Sequence, residues 1–294
     1  MRAYAYPLAV AAIWGLAYPL TKYLVAYFLP GFIAFFRALV GFLFLSAISR
    51  PVKIDGRTAI AGVLNMGATV LLINLSVMLS NSPGLVSSLM YTQPLFLIVL
   101  SAMALKTRVR PNEILGVALG VLGVAISAVG GGVGLYDLLP ILGGFIWALG
   151  TVVYSKWLAG RPPTSTTAAM NGAASKWLAG RPPMSTTAAM NGAAAAFLLP
   201  FAALAYRSSF TVKAALLLTA LAVLAQGAAW LLWFRSVREL GPVKVGELSL
   251  LVPVFSYLFS YLAFGAVPAA DQVVGSALIL LGILAVYIGT AKLK

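Results

Sequence analysis

From Pro83 to Gly123 the chain reads PGLVSSLMYTQPLFLIVLSAMALKTRVRPNEILGVALGVLG, and from Pro242 to Gly282 it reads PVKVGELSLLVPVFSYLFSYLAFGAVPAADQVVGSALILLG. Pro83, Pro94, Phe96, Ser101, Gly116 and Gly123 fall on Pro242, Pro253, Phe255, Ser260, Gly275 and Gly282, each 159 residues later. Apolar composition alone does not hold a spacing that constant over so long a stretch. The chain is therefore two related halves, and a repeat of this kind decides the architecture before any single element does.

Working outward, 62% of the residues are hydrophobic and only 9% are charged. In a soluble domain about a quarter would be charged. The apolar residues run in blocks of about twenty, the length of helix that crosses the hydrocarbon layer. The expected fold is all-α: a polytopic membrane protein with ten transmembrane helices, arranged as two inverted five-helix repeats with both termini cytoplasmic. The spans are expected at 6–27, 31–48, 59–80, 84–105, 113–130, 136–155, 186–206, 214–235, 243–264 and 271–290. The first half covers 1–133 and the second 134–294. IWGLAYPL in helix one matches IWALGTVV in helix six, so Trp14 falls on Trp147. GATVLL at Gly67–Leu72 matches GAAWLL at Gly227–Leu232.

Five spans per half is an odd number, so the second half enters the membrane from the opposite side. Charge supports this. With the N-terminus inside, sixteen of the twenty Lys and Arg fall in or beside cytoplasmic loops, as the positive-inside rule requires. Lys22, Arg207 and Lys213 fall outside, and Arg37 lies within a span. This punctuated distribution also argues against a nucleic-acid partner, despite a net charge of +14. The apolar start after Met1-Arg2 is read as an uncleaved first helix rather than a signal peptide.

Ser155–Ala174 is followed at once by Ser175–Ala194, with Thr164→Met184 as the one change in twenty positions. Such a tandem copy marks a recent duplication or an assembly artefact. The second copy runs into FLLPFAALAY and is expected to begin helix seven. The remainder is expected to form a cytoplasmic excursion dispensable for function.

The chain has neither Cys nor His, which removes thiolate and imidazole chemistry. No catalytic residue, metal site or cofactor is expected, and an integral-membrane enzyme is disfavoured. Candidate binding residues lie in polar and aromatic stripes at helical spacing. These are Trp14 and Tyr18 on helix one, Asn65 and Thr69 on helix three, and Tyr91 and Gln93 on helix four. Trp147 on helix six and Gln226 and Trp230 on helix eight complete the set. Five stripes are what a shared cavity needs, although interhelical hydrogen bonding would account for part of them. Glu247 is the acid inside a span, either a site residue or a partner of Lys244 at the interface. Arg37 either holds a substrate carboxylate, closes an outer gate, or snorkels to headgroups. Pro94 and Pro253 interrupt two spans at equivalent places, which marks hinges beside a binding site. The glycines of helices five and ten mark close packing.

Ten spans in two inverted halves, an early Trp-Gly, mid-span prolines in helices four and nine, and the L-G-x-x-L-x-x-x-G run from Leu115 to Gly123 resemble the drug/metabolite transporter (DMT) superfamily. The closer likeness is to its EamA-domain exporters of the YddG-like type. The resemblance implies a central cavity between the halves and outward transport of metabolites, often amino acids. Many members carry Gly-Glu after helices four and nine, where this chain has Lys106-Thr107 and Gly265-Ala266. Small multidrug relatives use a helix-one glutamate for proton exchange, and this helix one has no acid. Glu247 is then the residue left to couple protons within a span. The expectation is a cell-membrane exporter of amino acids, aromatic ones included. Its partners are a small-molecule substrate and the lipid bilayer, with a monomer as the working unit. The alternatives are a lipid-carrier or sugar-conjugate flippase and a drug or organic-cation exporter.

Overall fold

The computed structural model describes residues 2–49, 54–80, 82–106, 111–129, 136, 138–159, 181–203, 211–265, 267 and 269–291. Helices dominate them: α1 (Arg2–Leu24), α2 (Pro30–Ile48), α3 (Gly56–Leu79), α4 (Pro83–Leu105) and α5 (Pro111–Val129), then α6 (Leu138–Trp157), α7 (Pro183–Ala203), α8 (Val212–Leu240), α9 (Pro242–Phe264) and α10 (Ala270–Ala291). Six of them, α2, α3, α4, α6, α8 and α9, are long and apolar enough to cross a membrane by length and composition. The expected excursion between α6 and α7 falls mainly on 160–180, outside the described residues, as do the Gly-rich run at 130–134 and the boundary between the halves.

Local chemistry sets the helix ends. The Asp55 carboxylate accepts from Thr58 N–H at 2.9 Å and caps α3. Ser82, followed by Pro83 at the first helical position, caps α4 through Leu85 N–H. Thr211 caps α8 through Ala214 N–H. Lys22 reaches across from α1 and donates to the carbonyls of Val77 and Ser80, where the C-terminal end of α3 carries partial negative charge.

Two irregularities recur in both halves. Both α4 and α9 are broken, at Tyr91–Thr92 and at Ser249–Leu250. The breaks precede Pro94 and Pro253, because the proline ring excludes the carbonyl four residues earlier and turns the residues before it away from helix. The carbonyl of Met90 points at α6, where a Cβ on Gly144 would lie 2.7 Å from it. The first segment of α4 packs on the second segment of α9, and the first segment of α9 on the second segment of α4.

The other irregularity is a wide π turn, at Val63–Ala68 in α3 and Ala222–Ala228 in α8. The sequence pattern at 3.6 residues per turn does not anticipate it. Aligned through Gly67 and Gly227, the two turns occupy the same place in each half.

The remaining contacts exchange in the same way. Helix α1 packs on the second segment of α9 and α6 on the second segment of α4, while α2 meets α7 and α5 meets α10. The α5–α10 contact is backbone-close: a Cβ on Gly282 would sit 2.5 Å from the Gly116 carbonyl oxygen.

The molecule is apolar outside and polar at its centre. Leu43, Val99, Met103, Leu216 and Leu262 are exposed, while Asn65, Asn74, Gln93, Thr151, Asn191 and Gln226 are fully buried. That is the distribution lipid selects, since a polar group facing hydrocarbon needs a partner inside the protein.

Candidate functional site: a central aromatic cavity

Four tryptophans from α1, α6 and α8 meet at the centre. The Trp14 ring centroid lies 5.3 Å from Trp147, 4.9 Å from Trp230 and 5.4 Å from Trp233, and Trp147 lies 4.9 Å from Trp233. Tyr91, turned inward by the break in α4, stands edge-on to Trp147 at 5.5 Å. Edge-to-face arrangements suit the quadrupoles of the rings and hold them in fixed orientation.

Beside this cluster lies a partly open cavity. Its wall comprises Trp14, Ala17, Tyr18 and Thr21 of α1, Arg37 of α2, Thr69, Val70 and Ile73 of α3, Tyr91, Trp147 and Trp230. Of the residues expected at a site, Trp14, Tyr18, Thr69, Tyr91, Trp147 and Trp230 lie on this wall, and Arg37 lies with them. The other four are buried away from it. Asn65 donates to Ala61 O and accepts from Thr151 of α6 at 3.3 Å. Gln226 donates to Asn191 of α7 at 3.1 Å. Both amides join helices. Gln93 packs where Gly144 and Gly246 leave room, and Glu247 is buried next to it in the chain from Gly246, on the first segment of α9. Pro94 and Pro253 are buried just beyond the breaks they cause.

Arg37 is 4% exposed. Its Nη1 donates to Asn74 Oδ1 at 3.5 Å, and Asn74 in turn donates to the Pro30 carbonyl at 3.3 Å. Asn74 thus anchors the arginine to α3, a role the sequence reading did not assign. The signal was present as a lone amide in TVLLINLSVML. Among the described residues, Arg37 Nε has no hydrogen-bond partner and no Asp or Glu lines the cavity.

The π turns enter the site directly. In α8 the Ala229 N–H reaches back to Leu224 O, and the next carbonyl, Ala225, accepts the Trp14 indole N–H at 3.0 Å. A wide turn shifts the hydrogen-bond ladder by one residue and leaves a carbonyl open to a side chain. In α3 the Thr69 N–H reaches Leu64 O in the same way, but the equivalent indole, Trp147 Nε1, has no partner. The halves also differ beyond the tryptophans. Thr21 on the cavity wall and Asn74 behind it correspond to Tyr154 and Phe234, whose rings pack at 4.1 Å. The space left open beside the first half is filled by aromatic rings in the second.

Two ends of the molecule can be told apart. Arg235 lies over the Tyr6 ring at 4.7 Å and Lys244 over Tyr4 at 5.3 Å, which brings the end of α8 and the start of α9 to the start of α1. At the other end Lys213 lies over Tyr23 at 5.7 Å, near Lys22 and the end of α3. At the start of α3, Asp55 pairs with Arg181, whose Nη1 also donates to Thr58 Oγ1 at 2.8 Å. The Arg181 guanidinium, with the Thr58 hydroxyl and N–H, holds the Asp55 carboxyl well below the usual carboxylate range.

Apolar-surfaced helices around a buried, partly polar cavity are the pattern of a membrane protein with an internal cavity. The sequence profile of the EamA-like transporter family matches residues 1–129 and 164–288, and the chain belongs to that family. That family is one of transporters. A stretch of 154 residues is 30% identical to the uncharacterized transporter YvbV of Bacillus subtilis (strain 168), covering 49% of this chain and 50% of that protein. The chain thus spans about half the length of the curated relative it matches. A crystal structure superposes over 100% of this chain and 99% of its own with a TM-score of 0.71 at 20% identity, a likeness of fold alone.

Proposed function

We propose that the protein exports small amphipathic metabolites, amino acids and aromatic amino acids among them, across the cytoplasmic membrane by alternating access. All ten helices span the bilayer, in two inverted repeats covering 1–133 and 134–294, with both termini in the cytoplasm. The observation that carries this reading is the cavity itself. It is walled by α1–α4 of one half and by Trp147 and Trp230 of the other, so movement between the halves changes its access. The exchange of contacts between equivalent helices supports the inverted repeat.

The positive-inside rule supports the orientation. Arg235 and Lys244 gather at the end of the molecule where α1 begins, and the cavity leans from the centre toward the other end, where Thr21 and Lys22 lie. The asymmetry of Tyr154 and Phe234 against Thr21 and Asn74 supports a conformation open on one side and packed on the other. The breaks before Pro94 and Pro253 serve as flexing points. Uptake of a radiolabelled amino-acid panel into proteoliposomes tests the reading. Saturable flux of at least one amino acid is expected, and flux of lipid-linked sugars or organic cations alone overturns it.

A further inference from the structure

We infer that the cavity recognises the carboxylate of its substrate through Arg37 and does not require an ammonium group, so the substrate class is small apolar-bodied carboxylates. The inference rests on the proposal that this cavity is the transport site. Four observations converge on it.

First, Arg37 is nearly fully buried, and an arginine side chain does not lose its proton. Second, its charge is uncompensated on the cavity wall. Among the described residues no Asp or Glu lines the cavity, and the ion pairs Arg181–Asp55 and Arg235–Glu239 lie elsewhere. A buried cation is strongly unfavourable unless an anion meets it, and transport is the process that would bring one. Third, the guanidinium is oriented. Asn74 takes Nη1, and Nε, which with Nη2 forms the other edge, is buried without a partner. That edge is the one a carboxylate meets with two parallel hydrogen bonds. Fourth, the rest of the wall is aromatic: Trp14, Tyr91, Trp147 and Trp230 offer ring surface to an apolar body. An ammonium would find no carboxylate here. Ring faces attract it, but the Arg37 charge on the same wall repels it, so its net contribution to affinity is small.

The test uses the purified full-length protein in detergent. Intrinsic tryptophan fluorescence is titrated with phenylalanine, 3-phenylpropionate and phenylalaninamide, and flux of the same compounds is measured in proteoliposomes. The two carboxylates are expected to bind within tenfold of one another, and the amide at least tenfold more weakly. Arg37→Gln is expected to remove that discrimination, and Arg37→Lys to keep part of it. The wild-type series stands by itself if Arg37→Gln does not fold. Amide binding as tight as acid binding, or no binding of any of the three, overturns the inference. Arg37-dependent binding without flux keeps the inference and overturns the transport reading. Flux that is equal for acid and amide and unchanged in Arg37→Gln does the reverse.

Discussion

The indole N–H of Trp14 donates to the carbonyl of Ala225 at 3.0 Å, and this bond exists because α8 widens into a π turn there. Trp147, at the equivalent place in the second half, makes no such bond. Trp14→Phe therefore removes a buried hydrogen bond and leaves a carbonyl unmet, at a cost of about 1–3 kcal/mol. Trp147→Phe removes no bond and is expected to cost less. Thermal midpoints of the two variants in the same detergent check the order.

Lys106 ends α4 at φ 54, and Gly265 ends α9 at φ 65 in the equivalent position. A side chain in the left-handed region is strained by about 1 kcal/mol relative to glycine. Lys106→Gly is expected to raise the thermal midpoint, and Gly265→Lys to lower it. The pair is informative because one end of the repeat already carries the relaxed residue.

The sign of the Asp55–Arg181 contribution follows from the depressed pKa of the carboxyl. The stability it supplies is present above the ordinary Asp value of about 4 and is lost as pH falls through the lower folded value. Asp55→Asn should lower stability at pH 7 by about 0.5–1 kcal/mol, since the pair is partly solvent-screened. The difference between variant and wild type should shrink as the medium is acidified. A midpoint difference that grows toward low pH would contradict the assignment.

Deletion of 161–180 removes one copy of the duplicated segment. In the structure Arg181 N–H donates to Leu158 O at 3.0 Å, and with 161–180 removed the same bond would close a four-residue turn. Joining Gly160 to Arg181 should keep this bond and the start of α7. The shortened protein is expected to insert into membranes and to transport at the wild-type rate, measured by flux in proteoliposomes.

Gly15 and Gly282 allow helices to touch. A Cβ on Gly15 would lie 2.4 Å from Phe255 Cβ, and one on Gly282 would lie 2.5 Å from the Gly116 carbonyl. Neither neighbour is a flexible tip, so Gly15→Ala and Gly282→Ala should each force the helices apart and cost about 1–3 kcal/mol. Lowered midpoints and poorer yields of folded protein are the expected outcome.

How much of this was legible varies with the physics behind each feature. Pro94 and Pro253 announce breaks, because proline acts through the backbone wherever it stands. Trp14, Trp147 and Trp230 declare themselves because aromatic bulk at helical spacing is hard to bury between close-packed helices. The π turns were not legible. A one-residue insertion rotates everything beyond it by about 100°, so a face drawn at 3.6 residues per turn slides off its true course. Thr219, seven residues before Gln226 and on its face at regular helical spacing, is exposed in the structure. Asn65 and Gln226 carry the same amide whether they face a ligand or a neighbouring helix, and only packing separates the two. Asn74 was passed over because its partner, Arg37, lies 37 residues away on another helix.

The rings of Tyr154 and Phe234 pack against each other at 4.1 Å. They occupy in the second half what is hollow beside Thr21 in the first. A rocking motion that exchanged the roles of the halves would transfer the void rather than create one, and the two end states would have nearly equal volume. Hydrostatic pressure acts on proteins through the voids they lose. It should therefore leave the balance between those end states almost untouched, while still opposing the folded molecule as a whole.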